Sequence, residues 1–239
     1  MLPSYLLSLR EGLEAALIIG IVLGALQKIH RTDLAPMLWY GTFAAIGVSI
    51  LTAILLTIFG LSLEGSAEQI YEGITMFLAA GLLTWMIFWM ATAAKSISGE
   101  LKAAIDKAAD AKPWSLMVVA LLAVGREGLE TAMFIWAATQ ASTRGTGASW
   151  VPLLGALLGL ITAVILGYLF YKGAVRINLT KFFTWTGAFL IVVAGGVLAY
   201  GVHDLQEAGI LPGLHNLAFD VSETIPPSSW YGTLLKGIF

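Results

Sequence analysis

The sequence predicts an all-α polytopic membrane protein, and three observations lead to this fold class. Hydrophobic residues make up 58% of the 239 residues and charged residues only 12%, compared with about 45–50% and about 25% in a soluble domain. Six apolar stretches have the roughly 20 residues that a helix needs to cross a bilayer. A charged pentapeptide occurs twice inside these stretches. The composition excludes a water-soluble domain.

The six predicted spans cover residues 2–27, 37–61, 69–94, 114–139, 151–171 and 182–201. The first span is not a cleavable signal peptide, because it has no basic region at its start and carries charged residues within its apolar run. Residues 95–113 place apolar side chains on one stripe among lysines and acids, which predicts an interfacial helix on the cytoplasmic surface. Residues 202–239 are more polar and predict an external cap.

Basic residues in the connections predict how the chain is oriented in the membrane. Lysine and arginine follow the first and third spans and surround the connection between the fifth and sixth, whereas the alternate connections are acidic or nearly uncharged. The positive-inside rule therefore places the N-terminus and the segment from residue 202 outside. We predict a multi-pass protein of the cell membrane, surrounded by the lipid bilayer.

Charge balance and cysteine content exclude several kinds of function. The chain has 13 basic and 15 acidic residues and no basic tract, so nothing in it favours binding to nucleic acid. It contains no cysteine, which excludes disulfides, thiolate metal sites and iron–sulfur clusters. Oxygen or imidazole groups must hold any metal, and we expect no resident cofactor.

The pentapeptide Arg-Glu-Gly-Leu-Glu occurs at residues 10–14 and again, letter for letter, at residues 126–130. The two copies lie in spans that are predicted to run in opposite directions. Residues 1–94 and 114–201 are therefore predicted to form two three-helix units related by a pseudo-two-fold axis in the membrane plane, which is the inverted repeat of many secondary transporters. Residues 95–113 link the two units.

Both copies lie near the middle of the membrane. Each is about 9–16 residues into its helix, which corresponds to about 13–24 Å from the nearer helix end. An ionised side chain that faces lipid at this depth costs at least about 2.5–3.5 kcal/mol. The six charged side chains must therefore face one another or water.

The spacing within the motif predicts a cation site. The two glutamates of each copy are three residues apart and share a helix face, while the arginine is four residues from the second glutamate and can pair with it. The glycine between the glutamates leaves room for close helix approach. Four carboxylates from two such helices form an oxygen cage that suits a hard cation. The predicted ligands are Glu11, Glu14, Glu127 and Glu130, balanced by Arg10 and Arg126.

A buried ion network that only holds the helices together is the alternative interpretation of the motif. Such a network needs no excess of carboxylates over arginines. Two symmetric copies, each with a surplus of negative charge, therefore favour the cation site.

The doubled motif resembles the signature of the oxidase-dependent iron permeases, the family of the bacterial Efe-type iron permease and the fungal high-affinity iron permease. Shorter similarities follow in the same order, namely Tyr-Glu-Gly at 71–73, Leu-Thr-Trp-Met at 83–86, Phe-Trp-Met at 88–90 and Glu-Ala-Gly at 207–209. The resemblance implies that the protein imports iron, in the ferric form produced outside by an iron-oxidising or iron-binding partner protein, with the motif glutamates as ligands. Because members of this family usually carry a seventh helix after the external segment, we expect that helix to be missing from this chain.

Two further groups of residues are candidates for the path of the ion. Glu72 and Glu68 lie one turn apart near the outer end of the third span, where acidic side chains draw cations inward. Otherwise they are solvated acids at a helix end. In the external segment, His203, Asp204 and Glu207 are predicted to share a helix face and to form an external relay site. Their alternative roles are capping and salt bridges.

The sequence is also compatible with other functions. The same cage suits a permease or proton-coupled exchanger for another metal, such as lead or manganese. An intramembrane carboxylate metalloenzyme is less favoured, because di-iron bundles usually require Glu-x-x-His on two helices. The histidines of this chain, His30, His203 and His215, lie at or outside the membrane ends. We therefore predict a transporter rather than an enzyme, of an oligomeric state that the sequence does not indicate.

Overall fold

A computed structural model describes residues 1–61, 63, 65–93, 114–146, 150–173 and 178–214, and every regular element within these ranges is a helix. The α-helices are α1 (Leu2–Lys28), α2 (Ala35–Leu61), α3 (Ser66–Ala93), α4 (Trp114–Thr146), α5 (Trp150–Tyr171) and α6 (Leu179–Glu207). A short 3₁₀ helix at Thr32–Leu34 precedes α2. The shortest α-helix has 22 residues, enough to cross about 30 Å of hydrocarbon. The predicted fold class is confirmed.

Several helices extend beyond the apolar spans that predicted them. α4 continues to Thr146 and α6 continues to Glu207, about two turns past their predicted ends. Polar residues mark where a span leaves the hydrocarbon, but a helix continues as long as its backbone hydrogen bonds do. The first residues of the predicted external cap are therefore part of α6. The predicted interfacial helix at 95–113 and the cap beyond residue 214 lie outside the described residues, so their boundaries stay predictions.

The helices that carry the motif are less apolar than those that do not. Among the described residues, α2, α3, α5 and α6 contain segments long and apolar enough to cross a membrane. The motif places three charged residues within each of α1 and α4. Large apolar side chains are exposed along α2 and α5, for example Phe43, Leu55, Leu153 and Val164. These surfaces suit a lipid environment, because in water they would form an extensive apolar patch.

Helix pairing is symmetric under exchange of the two predicted three-helix units. The most extensive contacts join α1 to α5, α2 to α4, and α3 to α6, and α1 also packs on α4. Exchanging α1 with α4, α2 with α5 and α3 with α6 maps this set of contacts onto itself. Helices of one predicted unit therefore pack mainly on helices of the other predicted unit.

The glycines of the two motifs lie where paired helices approach closely. Gly12 of α1 faces Ala163 of α5, and Gly128 of α4 faces Ser49 of α2. The predicted close approach is present, but each glycine contacts the second helix of the other unit. The position of these glycines allows the motif to direct its glutamates elsewhere, toward the contact between α1 and α4.

Substitution of Gly12 by alanine should destabilise the protein. The added methyl group would lie 2.7 Å from Cβ of Ala163 and 3.3 Å from Cδ2 of Leu160, so α1 and α5 must move apart at a cost of about 1–3 kcal/mol. Gly20→Ala, also in α1, is the matched control because its methyl group would have nothing within 4 Å. Thermal unfolding in detergent should show a lower Tm for Gly12→Ala and an equal or higher Tm for Gly20→Ala. Equal Tm values for both variants would contradict this packing.

Candidate metal centre

The two copies of the motif meet where α1 packs on α4. Carboxylate oxygens of Glu11, Glu14 and Glu127 all lie within 4.8 Å of one another, and all three residues are buried. Glu130 interacts electrostatically with both Glu11 and Glu14 across the interface between the two helices. These four residues, which we call the carboxylate cluster, thus bring together glutamates that are more than 100 positions apart in the chain.

Each arginine pairs with a glutamate of its own copy, as the spacing of four residues predicts. Nε of Arg10 donates a hydrogen bond to Oε1 of Glu14 at 3.1 Å, and Nε of Arg126 donates to Oε1 of Glu130 at 3.0 Å. Arg126 also lies 3.7 Å from Oε1 of Glu127. The arginines thereby offset part of the negative charge of the carboxylate cluster.

Several oxygens of the carboxylate cluster are buried without a hydrogen-bond partner. Among the described residues this applies to both carboxylate oxygens of Glu11 and to Oε2 of Glu127 and Glu130. A network whose only role is structural would pair these oxygens, because a buried and unpaired carboxylate costs several kcal/mol. A cation bound among them would supply the interactions that the arginines do not. This chemistry favours a metal site.

The two copies are identical in sequence but not in environment. The side chain of Arg10 is 1% exposed, whereas that of Arg126 is 42% exposed. Leu122 and Leu129, on the same face of α4 as Arg126, are exposed as well. The first copy is therefore enclosed by other helices, while the second copy reaches the surface of the bundle.

The acids predicted for the path of the ion lie at the N-terminal end of α3. Glu68 is exposed and Glu72 is buried. Glu72 is not among the carboxylates that lie within 4.8 Å of one another. Glu68 therefore lies at the surface and Glu72 in the interior, and both are separate from the carboxylate cluster.

The three residues of the predicted external relay site differ in exposure, and their relay role stays a prediction. Nε2 of His203 lies 3.2 Å from Oε1 of Glu207, and both side chains are partly exposed. Asp204 is 0% exposed and is turned into the bundle, because consecutive residues of an α-helix differ by about 100° in direction. His203 and Glu207 therefore form an exposed pair, while Asp204 is buried beside them.

Sequence reasoning missed one hydrogen bond between the ends of α3 and α6 and one buried hydroxyl group in α1. Nε2 of Gln69 donates a hydrogen bond to Oε2 of Glu207 at 3.2 Å and so connects the start of α3 to the end of α6. Nothing in the sequence marked this amide. Ser8 of α1 is fully buried against α5.

The fold and the site define a polytopic helical membrane protein with a buried carboxylate cluster at the contact of two repeated helices. The chain belongs to the iron permease FTR1 family, whose profile matches residues 1–239. This membership confirms the family resemblance drawn from the motifs.

Curated relatives match along the whole chain. The protein is similar to the ferrous iron permease EfeU of Escherichia coli O157:H7, with 36% identity over 242 residues that cover 100% of this chain and 86% of the relative. It is also similar to the ferrous iron permease EfeU of Yersinia pestis, with 34% identity over 242 residues that cover 100% of this chain and 84% of the relative. No solved structure matches the chain.

Proposed function

We propose that this protein imports iron across the cell membrane and binds the ion in the carboxylate cluster. The observation that carries the proposal is the meeting of Glu11, Glu14 and Glu127, from both copies of the motif, with carboxylate oxygens within 4.8 Å of one another. Several carboxylate oxygens in one place are the donor set of a hard cation. Membership of the iron permease family supports iron as that cation.

The charge of the site bears on the oxidation state of the ion. Four ionised glutamates and two arginines leave two negative charges, which a ferrous ion neutralises and a ferric ion exceeds. The name of the relatives, ferrous iron permease, also supports the ferrous ion. The family resemblance implies ferric iron, and this form stays a prediction that the same transport assay compares with the ferrous form.

Acidic residues at the outer end of the bundle support a path into the carboxylate cluster. Glu68 and Glu207 are exposed there, while Glu72 and Asp204 are buried. Exposed carboxylates raise the local concentration of cations, and buried ones lead them inward. The bond from Gln69 to Glu207 holds the two helix ends together. We propose that an extracytoplasmic iron-oxidising or iron-binding protein delivers iron to this surface.

Iron uptake by proteoliposomes that contain the purified full chain tests the proposed function. Ferrous iron under anaerobic conditions and chelated ferric iron are supplied separately, and the pH gradient is varied independently of the iron. We expect uptake of iron that saturates, that proceeds without a partner protein at high iron, and that exceeds the uptake of manganese or lead. No iron uptake above that of empty liposomes, in either oxidation state, would contradict the proposal.

Substitution of Glu72 by glutamine should impair transport mainly at low iron. The change removes a buried negative charge from the path but leaves the carboxylate cluster intact, so the KM for iron should rise several-fold with little change in the maximal rate. Asp33→Asn is the control, because Asp33 pairs with Arg31 next to the start of α2. An unchanged KM for Glu72→Gln would remove Glu72 from the path.

A further inference from the structure

Apolar side chains cover the carboxylate cluster on the side that is predicted to face outside. Leu7 lies one turn before Glu11 on α1, and Phe134 lies one turn after Glu130 on α4, so each continues the helix face that carries the glutamates. Both side chains are 3% exposed, and both belong to the same apolar core. The carboxylate cluster therefore borders hydrocarbon, and not a polar channel, along these two helix faces.

Two more helices complete this apolar layer between the outer acids and the carboxylate cluster. Met76 follows Glu72 by one turn on α3, and Val197 precedes Asp204 by two turns on α6, so each lies between a buried acid and the middle of the membrane. Both belong to the same core. A methyl group built on Gly201 of α6 would lie 3.1 Å from Cβ of Met76, so the two helices are closely packed here. The side chains that we call the outer apolar layer are Leu7, Met76, Phe134 and Val197.

The outer apolar layer is a barrier to an ion. Transfer of a charged group from water into apolar surroundings is strongly unfavourable, and hydrophobic constrictions close a pore by excluding water. Buried carboxylates lie on both sides of the layer, but the layer itself consists of hydrocarbon and thioether groups. The structure therefore holds the carboxylate cluster closed toward the outside.

The repeat places less buried side chains at the equivalent positions on the inner side of the carboxylate cluster. Ala123 of α4 corresponds to Leu7, and Ile18 of α1 corresponds to Phe134, at the spacing of 116 residues that relates the two motifs. Both are only partly buried, and each is smaller than its counterpart. The larger and more buried pair of side chains thus lies on the outer side.

A small cavity within the outer part of the bundle gives these side chains room to move. It touches all four helices, and its lining includes Leu7, Ala79, Phe134 and Val193. Protein interiors are close-packed, so a buried side chain needs free volume of this kind to change its rotamer. Leu7 and Phe134 border the cavity on one side and the motif glutamates along their helices on the other.

We propose that Leu7 and Phe134 form the outer gate of the iron path. Their side chains exclude water from the carboxylate cluster in this structure, and they move into the cavity to admit iron from the outer acids. The inference rests on the proposed function. It assigns a role to apolar residues that neither bind the ion nor carry charge.

Filling the cavity should hinder the movement of the gate. Ala79→Leu places a larger side chain in the free volume beside Leu7 and Phe134, so the maximal rate of iron uptake should fall several-fold. Equilibrium binding of ferrous iron to the same variant in nanodiscs should not change, because the carboxylate cluster is intact. A wild-type maximal rate would contradict a gate that moves into this cavity.

Labelling of a single cysteine from outside tests whether the gate is closed. The chain has no cysteine, so Glu11→Cys introduces a unique thiol one turn inside Leu7. A membrane-impermeant methanethiosulfonate reagent, added to spheroplasts of an expression host, should label Glu11→Cys slowly. Addition of Leu7→Ala or Phe134→Ala should raise the labelling rate at least about tenfold, because water and reagent then pass the layer. In inverted vesicles, neither addition should change the rate.

Leu26→Ala is the matched control for these substitutions. Leu26 is also a leucine of α1, is 1% exposed, and belongs to the apolar core at the other end of the helix. Its loss leaves a comparable cavity but should not change labelling from outside. Equal labelling rates with Leu7→Ala, Phe134→Ala and Leu26→Ala, in a protein that takes up iron, would overturn the gate and retain the proposed function. Faster labelling with Leu7→Ala, but no iron uptake by the wild type, would overturn the proposed function and the gating of iron with it.

Discussion

Substitution of Glu11 by glutamine should abolish iron transport without destabilising the metal-free protein. Both carboxylate oxygens of Glu11 are buried and lack a hydrogen-bond partner within the described part of the chain. The amide has nearly the same volume but carries no charge, so it removes an anionic ligand and also the cost of an unpaired buried carboxylate. We expect uptake at limiting iron to fall at least about 100-fold, because loss of a ligand exceeds the loss of a supporting group.

Thermal unfolding with and without ferrous iron distinguishes a role of Glu11 as a metal ligand from a role in a structural network. The metal-free Tm of Glu11→Gln should equal or exceed that of the wild type, and iron should raise the Tm of the wild type only, because a ligand stabilises the state that binds it. Asp33→Asn, an exposed carboxylate changed in the same way, controls for the substitution. A lower metal-free Tm with normal uptake would instead identify Glu11 as part of a structural network.

The second large effect is expected when the two motif arginines are substituted. They occupy the same position of identical motifs, but their loss should lower stability by different amounts. Arg10→Gln leaves Glu14 as a buried carboxylate without its partner at 3.1 Å, and breaking a buried pair in this way costs about 3–5 kcal/mol. Glu130, the partner of Arg126, is less buried than Glu14, so the carboxylate that Arg126→Gln leaves unpaired should cost less than the one left by Arg10→Gln. We therefore expect Arg10→Gln to lower the free energy of unfolding more than Arg126→Gln.

Unfolding of both variants in the same detergent measures this difference directly. Iron affinity provides an independent check, because each substitution makes the carboxylate cluster more negative and should tighten iron binding in any protein that remains folded. Equal losses of stability for the two variants would contradict the enclosed environment of Arg10. Weaker iron binding by folded Arg126→Gln would contradict the charge-balancing role of that arginine.

Much of this fold could be predicted because the bilayer constrains the length and charge of each segment that crosses it, and both can be read from a short stretch of sequence. The length of an apolar run determines whether it spans, and three charges in the middle of α1 and of α4 imply that these helices meet. The ion pair between Arg10 and Glu14 follows from helix periodicity alone. Such features depend on residues within one or two turns of each other, or on a repeat that is visible in the sequence.

Features that depend on neighbouring helices could not be predicted in the same way. The different exposure of Arg10 and Arg126 arises from how other helices cover α1 and α4, and the two motifs themselves are identical. Asp204 is buried where the end of α6 packs on α3. Gly12 contacts α5 rather than α4 because α1 packs mainly on α5. Each of these outcomes follows from tertiary packing.

The location of the bound iron tests the central claim most directly. An anomalous difference map, measured at the iron absorption edge on crystals soaked with iron, reports where the ion lies without relying on transport. We predict a peak at the contact of α1 and α4, within bonding distance of carboxylate oxygens from Glu11, Glu14 and Glu127. A peak at Glu72 or Asp204, with none between α1 and α4, would contradict a carboxylate cluster built from both repeats.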